Sequence, residues 1–172
     1  IGEDAGNREL SGFELGEAEG SSDSGHIVMN GGTFRIGEFE GDSKIHIGEG
    51  NVLSTFVMNG GTIYYDGPDD PAIAGSRSSA GINENDWEVG EHGKGRFEMH
   101  GDAVFRAGDD LKISENSAGN SSVLIDGNAR LSVGSGIGMS NGGADFQELF
   151  IGGNAIVDSG NSMGAGHPEG HT

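Results

Sequence analysis

The strongest constraint on this chain is a short motif that returns at a nearly fixed interval. It reads Ile27-Val28-Met29-Asn30-Gly31-Gly32-Thr33-Phe34, then Phe56-Val57-Met58-Asn59-Gly60-Gly61-Thr62-Ile63, then Phe97-Glu98-Met99-His100-Gly101-Asp102-Ala103-Val104. Two further copies follow, Val123-Leu124-Ile125-Asp126-Gly127-Asn128-Ala129-Arg130 and Leu149-Phe150-Ile151-Gly152-Gly153-Asn154-Ala155-Ile156. Counted from Met29 through Met58, Met99, Ile125 and Ile151, the steps are 29, 41, 26 and 26 residues. A period of this length is the mark of a stacked repeat, because a single such unit cannot bury its own apolar side and needs a neighbour above and below. The long step contains Asp66-Gly67-Pro68-Asp69-Asp70-Pro71 and a Ser/Gly/Ala/Asn-rich run, which reads as an inserted loop over 66–86.

A second motif follows each first one, an apolar-x-apolar triplet and a small residue: Ile45-His46-Ile47-Gly48, Trp87-Glu88-Val89-Gly90, Leu111-Lys112-Ile113-Ser114 and Ile137-Gly138-Met139-Ser140. Phe13-Glu14-Leu15-Gly16 is an earlier copy and Met163-Gly164 a degraded later one. Alternation of period 2 assigns the inward side chains. They are Ile27 and Met29, Phe56 and Met58, Phe97 and Met99, Val123 and Ile125, Leu149 and Ile151. Past the glycine corner the same rule selects Thr33 and Phe34, Thr62 and Tyr64, Ala103 and Phe105, Ala129 and Leu131, and Ala155 and Val157. The first coil is one residue short at this corner, which implies a bulge or a tighter turn. Gly31, Gly60, Gly101, Gly127 and Gly153 are expected to hold the corner through positive φ or close backbone approach, and Asn128 and Asn154, which tolerate the left-handed region, sit beside the last two.

These features predict an all-β chain, a parallel β-helix or β-solenoid of about five to six coils of roughly 26 residues with one inserted loop. It reads as a single segment over 1–172 with a short flexible tail at 165–172. Five coils at the usual strand spacing span about 25 Å. No segment keeps a 3.6-residue period for three turns, so helices are not expected.

The pattern Met-Asn-Gly-Gly-Thr at 29–33 and 58–62, alternating with Ile-Gly-Glu at 47–49 and Val-Gly-Glu at 89–91, resembles the glycine-rich strand repeats of bacterial autotransporter passengers and related surface solenoids. The likeness covers most of the chain. It implies a parallel β-helix, exported, and part of a longer adhesin or filament. The acidic insertion and the decay of the second motif near the carboxyl end depart from the family pattern.

Composition narrows the functional classes. Only 33% of the 172 residues are hydrophobic and 35 are glycine, a poor fit to a two-layer core. With 28 acidic residues against 9 basic ones and a net charge of −19, the chain's own field opposes a nucleic-acid backbone or an anionic membrane. There is no cysteine, so neither a disulfide framework nor a thiolate metal site is available. No apolar run reaches the roughly 20 residues that a membrane-spanning helix needs.

Candidate sites are few. Asp66, Asp69 and Asp70 are three oxygen donors close in sequence and the candidate Ca²⁺ ligands, although their spacing matches neither the EF-hand nor the calcium-roll nonapeptide. No other cofactor is expected. His167-Pro168-Glu169-Gly170-His171 does not fit a helical histidine pair, because Pro168 and Gly170 oppose the helix. His26, His46, His92 and His100 fall at outward or corner positions without clustering in sequence. Arg106, Asp109, Asp110 and Lys112 are the only grouping that suggests a polysaccharide-degrading enzyme, and adjacent carboxylates on a strand point to opposite faces. With only four threonines, two of them assigned inward, a flat ice-binding array is not expected.

The functional expectation is a non-catalytic, structural solenoid at the surface of a bacterium or outside it. It would act as a rigid spacer or a filament-forming or adhesin segment, associating head to tail or continuing into a longer solenoid. The alternative is a glycan- or surface-binding module that uses the 66–86 loop.

Overall fold

The computed structural model describes residues 12–16, 22–36, 44–65, 86–108, 110–114, 120–139 and 146–165. The chain opens with β1 (Gly12–Leu15) and then passes through successive levels of three strands. The first level is β2 (His26–Met29), β3 (Thr33–Ile36) and β4 (Lys44–Ile47), and the second is β5 (Ser54–Met58), β6 (Thr62–Tyr65) and β7 (Trp87–Val89). The third is β8 (Gly95–Met99), β9 (Val104–Ala107) and β10 (Leu111–Ile113). The fourth is β11 (Ser121–Ile125), β12 (Arg130–Val133) and β13 (Ile137–Met139), and the last is β14 (Gln147–Ile151), β15 (Ile156–Ser159) and β16 (Met163–Ala165).

Every third strand joins the same wall. Wall A runs β1-β4-β7-β10-β13-β16, wall B β2-β5-β8-β11-β14 and wall C β3-β6-β9-β12-β15. All the pairings are parallel. The described residues therefore form a three-walled parallel β-solenoid without helix, as the repeat predicts. From β2 to β14 the chain makes about four turns, slightly fewer than the five to six coils expected, because motif copies count levels rather than the turns between them.

The interior is a column of like residues. Phe56, Phe97 and Val123 stack in wall B beside Met58, Met99 and Ile125, and all are buried. Ile45, Trp87, Leu111 and Ile137 stack in wall A, and Ile63, Phe105 and Leu131 in wall C. Each large side chain taken out of water contributes roughly 1.5–3 kcal/mol, and the walls need one another to bury it. Phe56, Trp87, Phe97 and Phe105 form an aromatic centre with ring centroids 4.2–6.0 Å apart. Buried Ser54 and Ser121 are satisfied by accepting the backbone N–H of Gly25 and Gly95.

The B–C corner corrects the expected alignment. Between the wall B and wall C registers, the first two levels use three residues, Asn30–Gly32 and Asn59–Gly61, where the others use four. The shortening thus affects two levels rather than one, and a one-residue shift reverses the facing of all that follows. Ile63 is the buried residue at the second level, while Tyr64, expected inward, pairs with exposed Arg106 and lies beneath its guanidinium. Thr33 and Thr62 likewise fall in the row of Val104 and Arg130, outside the core column. Positive φ belongs to Gly101, Gly127 and Gly153 as expected, but to Gly32 and Gly61 instead of Gly31 and Gly60.

Asn128 and Asn154 do not use the left-handed region either. Their amides build a ladder up the corner instead, with Asn154 Nδ2 donating to Asn128 Oδ1 at 3.2 Å and Asn128 Nδ2 to Asp102 Oδ1 at 3.0 Å. Asn59 donates to Asn30 in the same manner at 2.8 Å.

Candidate functional site

Wall A carries the site that sequence reading passed over. Its outward row places Glu14, His46, Glu88 and Lys112 at successive levels in strict register. Ile45 and Ile47 fill the core on either side of His46, as do Trp87 and Val89 beside Glu88, so alternation turns the polar residues away from the core. Outward residues of such a wall are normally wet. Here His46 is 8% exposed and Glu88 0%, with Asp86 and Glu91 also buried.

Two more carboxylates come from the turn that ends each wall A strand. Gly48 and Gly90 adopt φ of 86° and 77°, the left-handed conformation open to glycine. Glu49 and Glu91 follow them, and both reach His46 of the first of these levels. Glu49 contacts His46 Nδ1, and Glu91 Oε2 lies 3.1 Å from the same nitrogen. On the other side of the ring, His46 Nε2 is 3.4 Å from Glu88 Oε2, and this buried nitrogen makes no hydrogen bond. One donor atom each from His46, Glu88 and Glu91 lies within 4.8 Å of the other two, and the same is true of Glu14, His46 and Glu49.

Cationic groups border the carboxylates. Lys112 Nζ sits 2.6 Å from Asp86 Oδ2 and 3.8 Å from Glu88 Oε1. Buried charges are tolerated when opposite charge or a metal compensates them. His46 and His92, the latter 3.4 Å from Glu91, are further bases at this cluster.

The expected site residues lie elsewhere. Asp66, Asp69 and Asp70, the Ca²⁺ candidates, fall outside the described residues, as does the remainder of the insertion up to 85. Asp86, its last residue, belongs to wall A, where its carbonyl accepts the N–H of Ile45 at 3.1 Å. His167 and His171 also lie outside, while Ala165, first of the expected tail, ends β16. Asp109 is outside as well. Asp110 accepts the N–H of Gly136 at 2.5 Å, Arg106 covers Tyr64 on wall C, and Lys112 serves Asp86 on wall A. These three are not brought to a common point.

His26 contacts Thr55 one level above it, and His92 lies 3.4 Å from Glu91. His100 bridges levels, with Nε2 2.8 Å from Glu98 Oε2 and Nδ1 2.7 Å from Asp126 Oδ1.

The fold and geometry define a parallel β-solenoid repeat protein with a buried histidine–carboxylate cluster on one outer wall. Among known proteins, no family model matches the chain, and neither a curated sequence nor a solved structure matches it significantly.

Proposed function

We propose that this solenoid is a structural element of an exported or cell-surface bacterial protein, a non-catalytic rigid spacer whose ends associate with the ends of further copies. The observation that carries this reading is the state of the end levels. Ile151 and Met163 occupy core rows at the last level yet are 43% and 51% exposed, whereas their equivalents Ile125 and Ile137 are buried. At the other end Phe34, in the row of buried Ile63, is 37% exposed and borders an open recess of about 530 Å³ with Ile27, Met29 and Phe56.

Because all strands run parallel, the edge of β14 offers the hydrogen-bonding row that the edge of β2 requires, and a second copy continues the stack by a head-to-tail contact. The net charge of −19 disfavours lateral clumping. The likeness of the Met-Asn-Gly-Gly-Thr and Ile-Gly-Glu repeats to autotransporter passengers supports export and an adhesin or filament context.

Sedimentation velocity over a range of concentrations, with electron microscopy, tests the proposal. Concentration-dependent end-to-end oligomers that Ile151→Lys abolishes are the expected result. A monomer unaffected by concentration, with no fibres, overturns it.

A second reading rests on where the insertion falls in the chain, between β6 and β7, whose own pairings stay in register. A long loop on a rigid scaffold suits glycan or surface recognition. A glycan array probed with the protein before and after deletion of residues 67–84, with and without a chelator, distinguishes a binding module from a spacer.

A further inference from the structure

We propose that His46, Glu88 and Glu91 form a binding site for one divalent transition cation of the zinc type, with Glu49 as a supporting carboxylate. Two observations lead there independently of the spacer reading. The three donor residues are each at least nine-tenths buried and converge within 4.8 Å, although they come from strands 42 positions apart in sequence. His46 Nε2 is buried and makes no hydrogen bond, and it faces the Glu88 carboxylate.

The donor chemistry selects the metal. Calcium and magnesium take oxygen-only shells, whereas an imidazole joined to carboxylates suits zinc and its neighbours. A ligating histidine usually donates its second ring N–H to a carboxylate, which fixes the ring. Both nitrogens of His46 face carboxylates, Glu88 on one side and Glu49 with Glu91 on the other, so either can ligate while the other is oriented. The repeat explains how the site arises. Ile47-Gly48-Glu49 and Val89-Gly90-Glu91 are the same motif one level apart, and stacking sets two equal carboxylates one strand spacing apart, about 4.8 Å. Like charges placed so closely repel unless something lies between them.

The test uses the whole chain carrying His167→Gln and His171→Gln, so that the terminal histidines contribute no binding. Chelator-treated protein is titrated with Co²⁺, read by its visible ligand-field absorption, and then with Zn²⁺, read by elemental analysis after dialysis. One equivalent of either metal is expected per chain, with Zn²⁺ displacing Co²⁺ and a tenfold excess of Ca²⁺ leaving the absorption unchanged. His46→Gln and Glu91→Gln weaken binding about tenfold or more, and His26→Gln, at an exposed histidine, does not. If His46→Gln fails to fold by circular dichroism, X-ray absorption of the Zn²⁺-loaded parent decides, since an imidazole shell is expected there. Substoichiometric uptake, equal affinity in a folded His46→Gln protein, or an oxygen-only shell overturns the proposal.

Discussion

Trp87 of wall A and Phe105 of wall C meet edge to face, with ring centroids 4.2 Å apart and planes inclined at 73°. The contact ties two walls together at the point where Phe97 of wall B also touches both rings. Phe105→Ala removes the partner shared by these rings, and a buried phenylalanine truncated in this way typically loses about 3–5 kcal/mol. Trp87 is the sole tryptophan and is fully buried, so its fluorescence reports the event directly. A blue-shifted emission in the native protein and a denaturant midpoint lowered by an amount matching that loss are expected.

Glycine is required at position 48 of the A–B corner for a stricter reason than at position 31 of the B–C corner. A Cβ on Gly48 would stand 2.1 Å from the carbonyl oxygen of Lys94, on a backbone with φ of 86°. Gly31 has open space around it and no left-handed φ. Gly48→Ala is expected to destabilise by more than about 2 kcal/mol, and Gly31→Ala to stay within about 0.5 kcal/mol of the parent. Parallel urea titrations of the two variants check the contrast.

His100 links stability to pH. Burial opposes charging of its ring, but hydrogen bonds and charge from Glu98 and Asp126 outweigh that effect and raise its pKa above the ordinary 6.5. A raised histidine pKa means that the folded chain holds the proton more tightly than the unfolded one. The stabilisation is full below the unfolded value and is lost as pH rises through the folded value. Thermal unfolding followed from pH 5 to 8.5 is expected to show this decline in the parent and a smaller one in His100→Gln.

The amide ladder has a direction, since Asn128 accepts from Asn154 and donates to Asp102. Asn128→Asp keeps the acceptor, removes the donor and sets one carboxylate against another. The midpoint of thermal melting is expected to fall at pH 7 and to recover as acidification protonates the pair. An equal loss at pH 3 and pH 7 would show that repulsion is not the cause.

Much of the architecture was legible because walls A and B keep strict period-2 alternation. Residues such as Phe56-Val57-Met58 and Trp87-Glu88-Val89 announce their facing without help from distant chain. Wall C was read less well. The contraction from four corner residues at His100–Ala103 to three at Asn59–Gly61 moved the core position from Tyr64 to Ile63, and composition does not reveal a missing residue between two glycine-rich turns. The cluster around His46 was invisible for another reason. His46 and Glu88 read as solvent-facing alternates, and only stacking the two levels in register brings Glu49 and Glu91 to the same ring. The repeated Gly-Glu after Ile47 and Val89 was the available signal.

Wall A joins Ile45 to Trp87 and Trp87 to Leu111 as immediate neighbours, although 42 residues separate the first pair and 24 the second. The pitch of the solenoid is thus blind to the length of chain that passes between its levels. Between walls C and A, the connections β6–β7 and β9–β10 differ in length while the register above and below is kept. A scaffold of this kind can exchange what it displays while its walls stay the same.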